Sequence, residues 1–476
     1  MSGHVPAERD GERTESDALG EVTLPVDALW GVHTARARAN FPVTGRPCGE
    51  LRDLVWAYGA VKLAACRANA RQGTLDPTRE RAIAEACREL MSGELDGAIL
   101  VDRIQGGAGT STNMNVNEVV ANRALRILGH APGTRTVIDP LDHVNLGQST
   151  NDTYPTALRL AVHRAIERLV PALAGLADAF EARAADFGDI VKIGRTQLQD
   201  AVPMTLGQEF GAFAETIRED GARLVEVLPH LREVNLGATA IGTGITAGVE
   251  YRRNVVTDLA EVTGYPLTAA SDLIEATSDT GVFVLVSGLL KRCAVKLSKI
   301  ANDLRLLASG PQAGLREITL PPVQAGSSIM PGKVNPVIPE TVNQVAFLVV
   351  GADATVTMAA EAGQLQLNAF GPVIATSLLD SIDLLTRAAD LFTDRCVRGI
   401  GADGQSLTAR TKDSLAVATG LVPFLGYAPT AALVKEAMHG HRTLAELVLE
   451  RGLLDRDRLD AALSPERLTG RGTAPL

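Results

Sequence analysis

The chain has 476 residues, more than a single hydrophobic core normally supports, so we expect two or three domains. Hydrophobic residues make up 46% and charged residues 21%, a balance typical of a folded globular protein and too apolar for a disordered chain. The formal net charge of −10 argues against a nucleic-acid partner, because phosphate binding needs a basic surface.

The five cysteines are odd in number, widely separated, and form no Cys-x-x-Cys pair. This spacing argues against a disulfide framework, a zinc ribbon and a thioredoxin-type motif. The sequence also shows no signal peptide and no unbroken apolar run of membrane length. We therefore expect a cytoplasmic protein with no metal site and no membrane association.

The predicted elements change character along the chain, and we expect a mainly α fold of three domains. Residues 1–147 begin with a polar segment and continue with short elements, which indicates a mixed, mostly helical N-terminal domain. Residues 148–400 hold five long helical stretches, which predict a central helical bundle. Residues 401–476 hold shorter stretches and predict a small C-terminal helical domain.

The five long stretches are defined by apolar residues at steps of three and four. They cover a segment from Thr156 whose apolar positions run to Phe180, and then about 206–228, 283–310, a segment after Pro339 to about 362, and 372–395. Pro171 is expected to bend the first helix or to begin a new turn in it. The run FVLVSGLL, which opens the third stretch, needs apolar cover on most sides, either from a second subunit or from its own chain.

Four loops rich in small hydroxyl and amide residues adjoin these helices. They are GGAGTSTNMNVNE (106–118), NLGQSTNDTYPT (145–156), GRTQLQDAVPMT (194–205) and AGSSIMPGKVNPVIPE (325–340). Taken singly, each is explained by helix capping and by turns. Together they offer many hydrogen-bond donors and little titratable charge, which suits the binding of carboxylates.

Other chemistries are disfavoured by the residues themselves. GGAGTSTN lacks the Gly-Lys-Ser/Thr ending of a phosphate-binding loop, and GTGITAG (242–248) departs from the dinucleotide pattern and follows no clear strand. His439 and His441 have no third ligand at metal-binding spacing. No Gly-x-Ser-x-Gly nucleophile motif is present.

The segment GSSIMPGKVNP (326–336) closely resembles the signature of the aspartase/fumarase superfamily. The other three loops resemble the family in the same order, as do TARARANF (34–41) and KIANDLRLLASGP (299–311), so the resemblance spans about residues 12–470. It implies a homotetramer with a central helical core and active sites built from three subunits. It also implies cofactor-free β-elimination from a small dicarboxylate to give fumarate.

The resemblance also implies roles for individual residues. Ser327 is the base that removes the proton, and the neighbouring Ser328 offers a hydrogen bond to the substrate. The group that holds one carboxylate and the amino end consists of Thr110, Ser149, Thr150 and Asn151. The group that holds the other carboxylate consists of Thr196, Lys333 and Asn335. Removal of a proton next to a carboxylate leaves a doubly charged aci-carboxylate, which such donors must stabilise.

Gln197 bears on the leaving group. Fumarases carry a histidine at this place, and expulsion of hydroxide from malate gains from a proton donor, because water has a pKa of about 15.7. Glutamine cannot give up a proton, whereas an ammonium group leaves as neutral ammonia and needs no acid. Gln197 therefore favours aspartate over malate, and it equally allows another substituted succinate such as nitrosuccinate.

Several positions depart from the usual aspartase pattern and keep these alternatives open. They are Leu146, Gly147, Gly371, Thr376, Ser377 and the segment 402–411. A non-catalytic structural homologue is a further alternative, since some members of the superfamily serve as structural proteins. The intact set of candidate residues argues against it, because a purely structural protein has no need of them all.

Overall fold

The computed structural model describes residues 11–440 and 442–471, so His441, one of the two histidines considered above, lies outside the described residues. Helices dominate, which confirms the predicted mainly α fold. The described strands form only two-stranded pairs.

The N-terminal part contains a strand pair and four helices. The elements are β1 (Glu12–Asp17), β2 (Gly20–Pro25), α1 (Val32–Asn40), α2 (Arg52–Arg71), α3 (Pro77–Ser92) and α4 (Thr110–Ile127). α3 shows why the chain turns where it does: the Asp76 side chain accepts from the backbone N–H groups of Thr78 and Arg79, Pro77 occupies the first turn, and Gly93 ends the helix in the left-handed conformation.

The central part contains the long helices that the sequence predicts. Its elements are α5 (Thr150–Asp186), β3 (Val191–Thr196), β4 (Gln199–Thr205), α6 (Leu206–Val227), β5 (Glu233–Val234), α7 (Val249–Thr263), β6 (Thr268–Ala269), α8 (Leu273–Ser278), α9 (Gly281–Leu307), β7 (Ile318–Thr319), α10 (Val337–Glu361) and α11 (Gly371–Arg395). The five long helices, α5, α6, α9, α10 and α11, lie close to their predicted bounds. α5 continues through Pro171 without a break in the helix.

The C-terminal part consists of short elements, as predicted. They are β8 (Gly401–Ala402), α12 (Gly404–Asp413), α13 (Val422–Leu425), α14 (Tyr427–Gly440), α15 (Leu444–Glu450), α16 (Arg456–Ala462) and α17 (Pro465–Leu468). The apolar faces of residues 415–421 and of α13 to α17 form one cluster around Leu421, Leu433 and Leu447. Burial of this cluster holds the short helices together.

The chain divides into two compact units. The first unit comprises Met1–Val170, Ala222–Ala294 and Phe347–Thr386, and the second comprises Pro171–Gly221, Val295–Ala346 and Arg387–Leu476. In the first unit, α2 packs against α3 and α7. In the second unit, the Phe180 ring meets the edges of Phe213 and Phe392. The division into domains at residues 147 and 400 stays a prediction.

One described helix, α10, is long and apolar enough to cross a membrane by length and composition. Such a helix also occurs in bundles of globular proteins, where a neighbour covers its apolar side. Phe347 is 66% exposed and Met358 72% exposed, so part of this helix carries uncovered apolar surface in the single chain. Asp353, in contrast, is buried and bonded to Ser287.

Candidate active site

In the first unit, a glycine-rich turn leads into Thr110 at the start of α4. Gly107 and Gly109 have φ values of 90° and 91°, a conformation that favours glycine. A Cβ on Gly109 would also lie 2.0 Å from the ring of Tyr154, so this position admits only glycine. The hydroxyl of Thr110 donates to the carbonyl of Gly107 at 2.7 Å, and the side chain is exposed. The turn thus presents Thr110 at a helix N-terminus, where anions are favoured.

Ser149, Thr150 and Asn151 form the start of α5 in the same unit. The hydroxyl of Ser149 accepts from the backbone N–H of Asn151 at 3.2 Å, and the carboxylate of Asp152 accepts from the backbone N–H of Ser149 at 3.0 Å. These two reciprocal bonds cap the N-terminus of α5, so Ser149 acts as a helix cap, as its residue type indicates. Capping and substrate binding are compatible, because each occupies only part of the hydroxyl's bonding capacity.

A loop that the sequence did not mark as part of the site is bonded to this helix start. Asn151 Nδ2 donates to the carbonyl of Ala240 at 2.8 Å. The backbone N–H groups of Gly237 and Thr239 donate to Asp152 at 3.1 and 2.9 Å. GTGITAG, which follows directly, therefore begins beside the candidate residues. The sequence signal was weak, because the loop contributes a backbone group to each of these three bonds.

A buried lysine lies beneath the same helix start. Lys62 of α2 has no exposed surface, and its Nζ donates to Asn113 Oδ1 at 2.7 Å, Gln148 Oε1 at 2.9 Å and Asn145 Oδ1 at 3.1 Å. Burial lowers the pKa of Lys62 to about 7, while the charge of Asp152 acts to raise it. Burial likewise raises the pKa of Asp152 to about 6, against the opposing effect of its backbone donors.

In the second unit, Thr196 and Gln197 belong to the β3–β4 hairpin. Thr196 pairs with Gln199, so Gln197 and Leu198 alone form the turn, with φ values of 54° and 63°. Such two-residue turns normally use Asn or Gly, because both positions need positive φ. Gln197 and Leu198 therefore store backbone strain, which is common at functional sites. Thr196, Gln197 and Leu198 are all exposed.

A buried ionic cluster ties this hairpin to the chain just before the signature loop. Glu317 forms ion pairs with Lys192 and with Arg195, each at 2.6 Å, and Lys192 Nζ also donates to Glu209 at 2.7 Å. Lys192 and Glu317 are almost wholly buried, so removal of one partner would leave a buried charge uncompensated. Arg195 directly precedes Thr196, and Glu317 directly precedes β7. The cluster therefore holds in place the backbone at Arg195, next to Thr196.

The signature loop is irregular, as its prolines and glycines predict, and residues 320–336 contain no helix or strand. The Ser327 hydroxyl oxygen accepts from the backbone N–H groups of Ile329 and Met330 at 3.2 and 2.9 Å. Two N–H donors on one oxygen stabilise negative charge on it. This arrangement favours the serine anion that a basic role requires.

The two ends of the signature loop are joined to each other. Asn335 Nδ2 donates to the carbonyl of Gly326 at 2.7 Å, and a Cβ on Gly326 would lie 2.1 Å from the carbonyl oxygen of Lys333. Asn335 thus has a structural bond besides its expected substrate contact. Ser328 and Lys333 are exposed, and Lys333 makes no ion pair within the part of the chain that the structure describes.

The candidate residues therefore form two sets. Within the first unit, the structure brings together Ser149, Thr150 and Asn151 at the start of α5. Thr110 begins α4, the helix that also carries Asn113. The second unit holds Thr196 and Gln197 on the hairpin and Ser327, Ser328, Lys333 and Asn335 on the signature loop. Sequence reasoning missed Lys62, Asn113 and Asp152. A lysine within the apolar helix VWAYGAVKLAAC was the one signal that could have found the first of them.

Comparison with known proteins identifies the family. The family model described as "Lyase" matches residues 20–351, and the model described as "Fumarase C C-terminus" matches residues 417–470. An aspartate ammonia-lyase from Pseudomonas fluorescens is 52% identical over 465 residues, which cover 98% of this chain and 97% of that protein. The chain belongs to the aspartase/fumarase superfamily.

Solved structures of the superfamily share this fold. A fumarate lyase:delta crystallin from Brucella melitensis bound to cobalt is 52% identical with a TM-score of 0.93, covering 96% of this chain and 99% of that chain. A class II fumarase from Schistosoma mansoni is 33% identical with a TM-score of 0.91, covering 96% of this chain and 99% of that chain. The described residues of this superfamily member contain no group of three or more His, Cys, Asp or Glu placed to hold a metal ion.

Proposed function

We propose that this protein is a carbon–nitrogen lyase that eliminates ammonia from L-aspartate to give fumarate. The observation that carries the proposal is the 52% identity to an aspartate ammonia-lyase over almost the full length of both chains. Gln197 supports the choice of leaving group, because the turn that carries it offers no proton donor. An ammonium group brings its own proton and departs as ammonia.

The proposed mechanism starts with proton transfer to Ser327. The serine anion, formed by loss of the Ser327 hydroxyl proton to solvent, removes a proton from the carbon next to one carboxylate, and the electron pair of the broken bond enters that carboxylate as an aci-carboxylate. This pair then forms the carbon–carbon double bond, while the carbon–nitrogen pair leaves with ammonia. Support for Ser327 comes from its two backbone N–H donors, which stabilise its anion.

In this proposal, each of the two sets of candidate residues binds one end of the substrate. Thr110, Ser149, Thr150 and Asn151 bind the carboxylate that becomes the aci-carboxylate, together with the amino end. Helix N-termini and hydroxyl donors suit the extra charge that develops there. Thr196, Lys333 and Asn335 bind the other carboxylate, with Lys333 as the positive charge. Ser328 supplies a further hydrogen bond, and no step uses a cofactor.

We also infer a homotetramer whose active sites combine residues of three subunits. Support comes from the uncovered apolar residues of α10, including Phe347, Leu348 and Met358, which favour contact with another apolar helix. A cytoplasmic location is part of the same proposal. All five cysteines are buried, and no disulfide joins any of them, which fits a reducing compartment.

The test compares three substrates on purified protein by the ultraviolet absorbance of fumarate. The proposal predicts the highest kcat/KM for L-aspartate. A higher value for nitrosuccinate would overturn the choice of leaving group and keep the elimination. A higher value for L-malate would identify a hydratase instead. No absorbance change with any of the three would overturn the lyase function and favour a structural role.

A further inference from the structure

Lys62 is a buried cation whose hydrogen bonds end at a candidate substrate-binding residue. Its Nζ lies 2.7 Å from Asn113 Oδ1, and Asn113 Nδ2 donates to Thr150 Oγ1 at 3.1 Å. The remaining capacity of the Asn113 side chain is filled by a bond from Thr153 at 3.3 Å and one to Asn145 at 3.1 Å. Asn113 is therefore held in one orientation, because each of its amide atoms already has two partners.

The direction of these bonds follows from the chemistry of Lys62. Below its pKa of about 7 the Lys62 side chain is an ammonium group, which only donates hydrogen bonds, and three amide oxygens surround it. The oxygen of Asn113 must consequently face Lys62, and its NH₂ group must face Thr150. A neutral side chain at position 62 would remove this constraint, and the amide could then rotate.

The orientation of Asn113 determines what Thr150 can offer to a ligand. Because Thr150 Oγ1 accepts a bond from Asn113, its own hydrogen must be directed elsewhere. Among the described residues the Thr150 hydroxyl has no acceptor for this hydrogen. Thr150 is 9% exposed, so its hydroxyl is held in place by its surroundings. It is thus prepared as a donor to an anionic ligand.

We propose that Lys62 is a positioning residue that acts through Asn113 to direct the Thr150 hydroxyl hydrogen at a carboxylate of the substrate. The inference rests on the proposed function, since it assigns the ligand of Thr150 to that substrate. It makes Lys62 a residue that supports binding of this carboxylate and of the charge that develops on it, although Lys62 has no exposed surface and touches no ligand. The assignment of Ser327 as the base is unchanged by it.

A double-mutant cycle tests this coupling. Lys62→Met and Thr150→Val should each lower kcat/KM for L-aspartate about tenfold or more, since each weakens a hydrogen bond to a carboxylate whose negative charge grows during the reaction. The double variant should show no further fall in kcat/KM. Thr156→Val is the matched control, because this threonine lies on the same helix and bonds to Asn235. The effects of Thr156→Val and Lys62→Met on kcat/KM should multiply in their double variant, because the two residues are expected to act independently.

Independent, multiplicative effects of Lys62→Met and Thr150→Val on kcat/KM would overturn the inference. The same cycle on the dissociation constant for fumarate, measured by calorimetry, needs no turnover. If the protein eliminates nothing from L-aspartate, the proposed function is wrong. The fumarate dissociation constants would still test the role of Lys62.

Asn113→Asp provides a second test if Lys62→Met does not fold. The new carboxylate pairs with Lys62, and because it only accepts hydrogen bonds, it turns the Thr150 hydrogen inward. Thr150→Val should then cost about tenfold in fumarate affinity in the wild-type background and nothing in the Asn113→Asp background. An equal cost in both backgrounds would overturn the inference.

Discussion

At the residue scale, the Ser327 hydroxyl makes bonds that resemble those of a cap and that also suit a base. Its oxygen accepts two backbone N–H groups of its own loop, and each of these bonds favours the anion. The sequence could predict Ser327 from the signature, but not its bonds to Ile329 and Met330, because these depend on the loop's backbone path.

Ser327→Ala should lower kcat for L-aspartate by at least about a thousandfold, because the base is lost. The free energy of unfolding should change by less than about 1 kcal/mol, since the loop is exposed. Steady-state kinetics and urea unfolding measure the two effects. Ser328→Ala is the control and should lose much less activity. A fully active Ser327→Ala variant would show that another group is the base.

Gln197→His adds a proton donor at the strained turn. We expect the ratio of kcat/KM for L-malate to that for L-aspartate to rise, because hydroxide departs more readily when protonated. Gln197→Gly is the control for the turn itself: it relieves the positive φ without adding an acid, and should not raise the ratio. A higher malate-to-aspartate ratio for Gln197→Gly than for Gln197→His would show that residue 197 does not determine the leaving group.

The pKa of Lys62 predicts a pH dependence of stability. Burial lowers this pKa from 10.5 to about 7, so the unfolded chain binds the proton more strongly than the folded chain between these values. The free energy of unfolding should therefore rise with pH from 7 to 9, relative to Lys62→Met, by at most about 1.4 kcal/mol per pH unit. Urea unfolding at several pH values measures it, and parallel curves for the two proteins would contradict it.

At the element scale, the signature loop depends on a close backbone crossing. A side chain on Gly326 would meet the backbone carbonyl of Lys333, whereas a Cβ on Gly332 would meet nothing within 4 Å. Gly326 also accepts the bond from Asn335 that joins the two ends of the loop. The sequence predicted an irregular loop correctly, but the crossing is a tertiary contact that residue types alone do not reveal.

Gly326→Ala should therefore abolish most activity while the rest of the fold stays intact, because the loop can no longer close on itself. Gly332→Ala is the matched control, and should cost only about 1 kcal/mol for its positive φ of 79°. Activity assays and circular dichroism distinguish the two. Equal activity of both variants would contradict the proposed importance of the crossing.

The long helices were the most predictable elements, because their apolar spacing repeats over many turns. The hairpin turn at Gln197 and the loop at residues 235–240 were not predictable in the same way. The first breaks the usual residue preference for its turn, and the second bonds to the candidate site largely through backbone groups, which every residue except proline carries. Local sequence carries little information on either.

At the scale of the whole molecule, the uncovered side of α10 bears on assembly. Met358→Glu and Phe347→Glu each place a charge on this apolar surface and should weaken a helical core shared between subunits. Light scattering should show smaller assemblies, and activity should fall with them, since the proposed sites need residues of several subunits. An active, monomeric variant would contradict the shared sites.

The stoichiometry of the reaction with L-aspartate tests the proposed lyase activity. Wild-type protein should release ammonia and fumarate in equal amounts, and Ser327→Ala should release neither at a measurable rate. Fumarate absorbance and an ammonia assay on the same sample measure both products. Release of neither product by the wild-type protein would contradict the proposed elimination of ammonia.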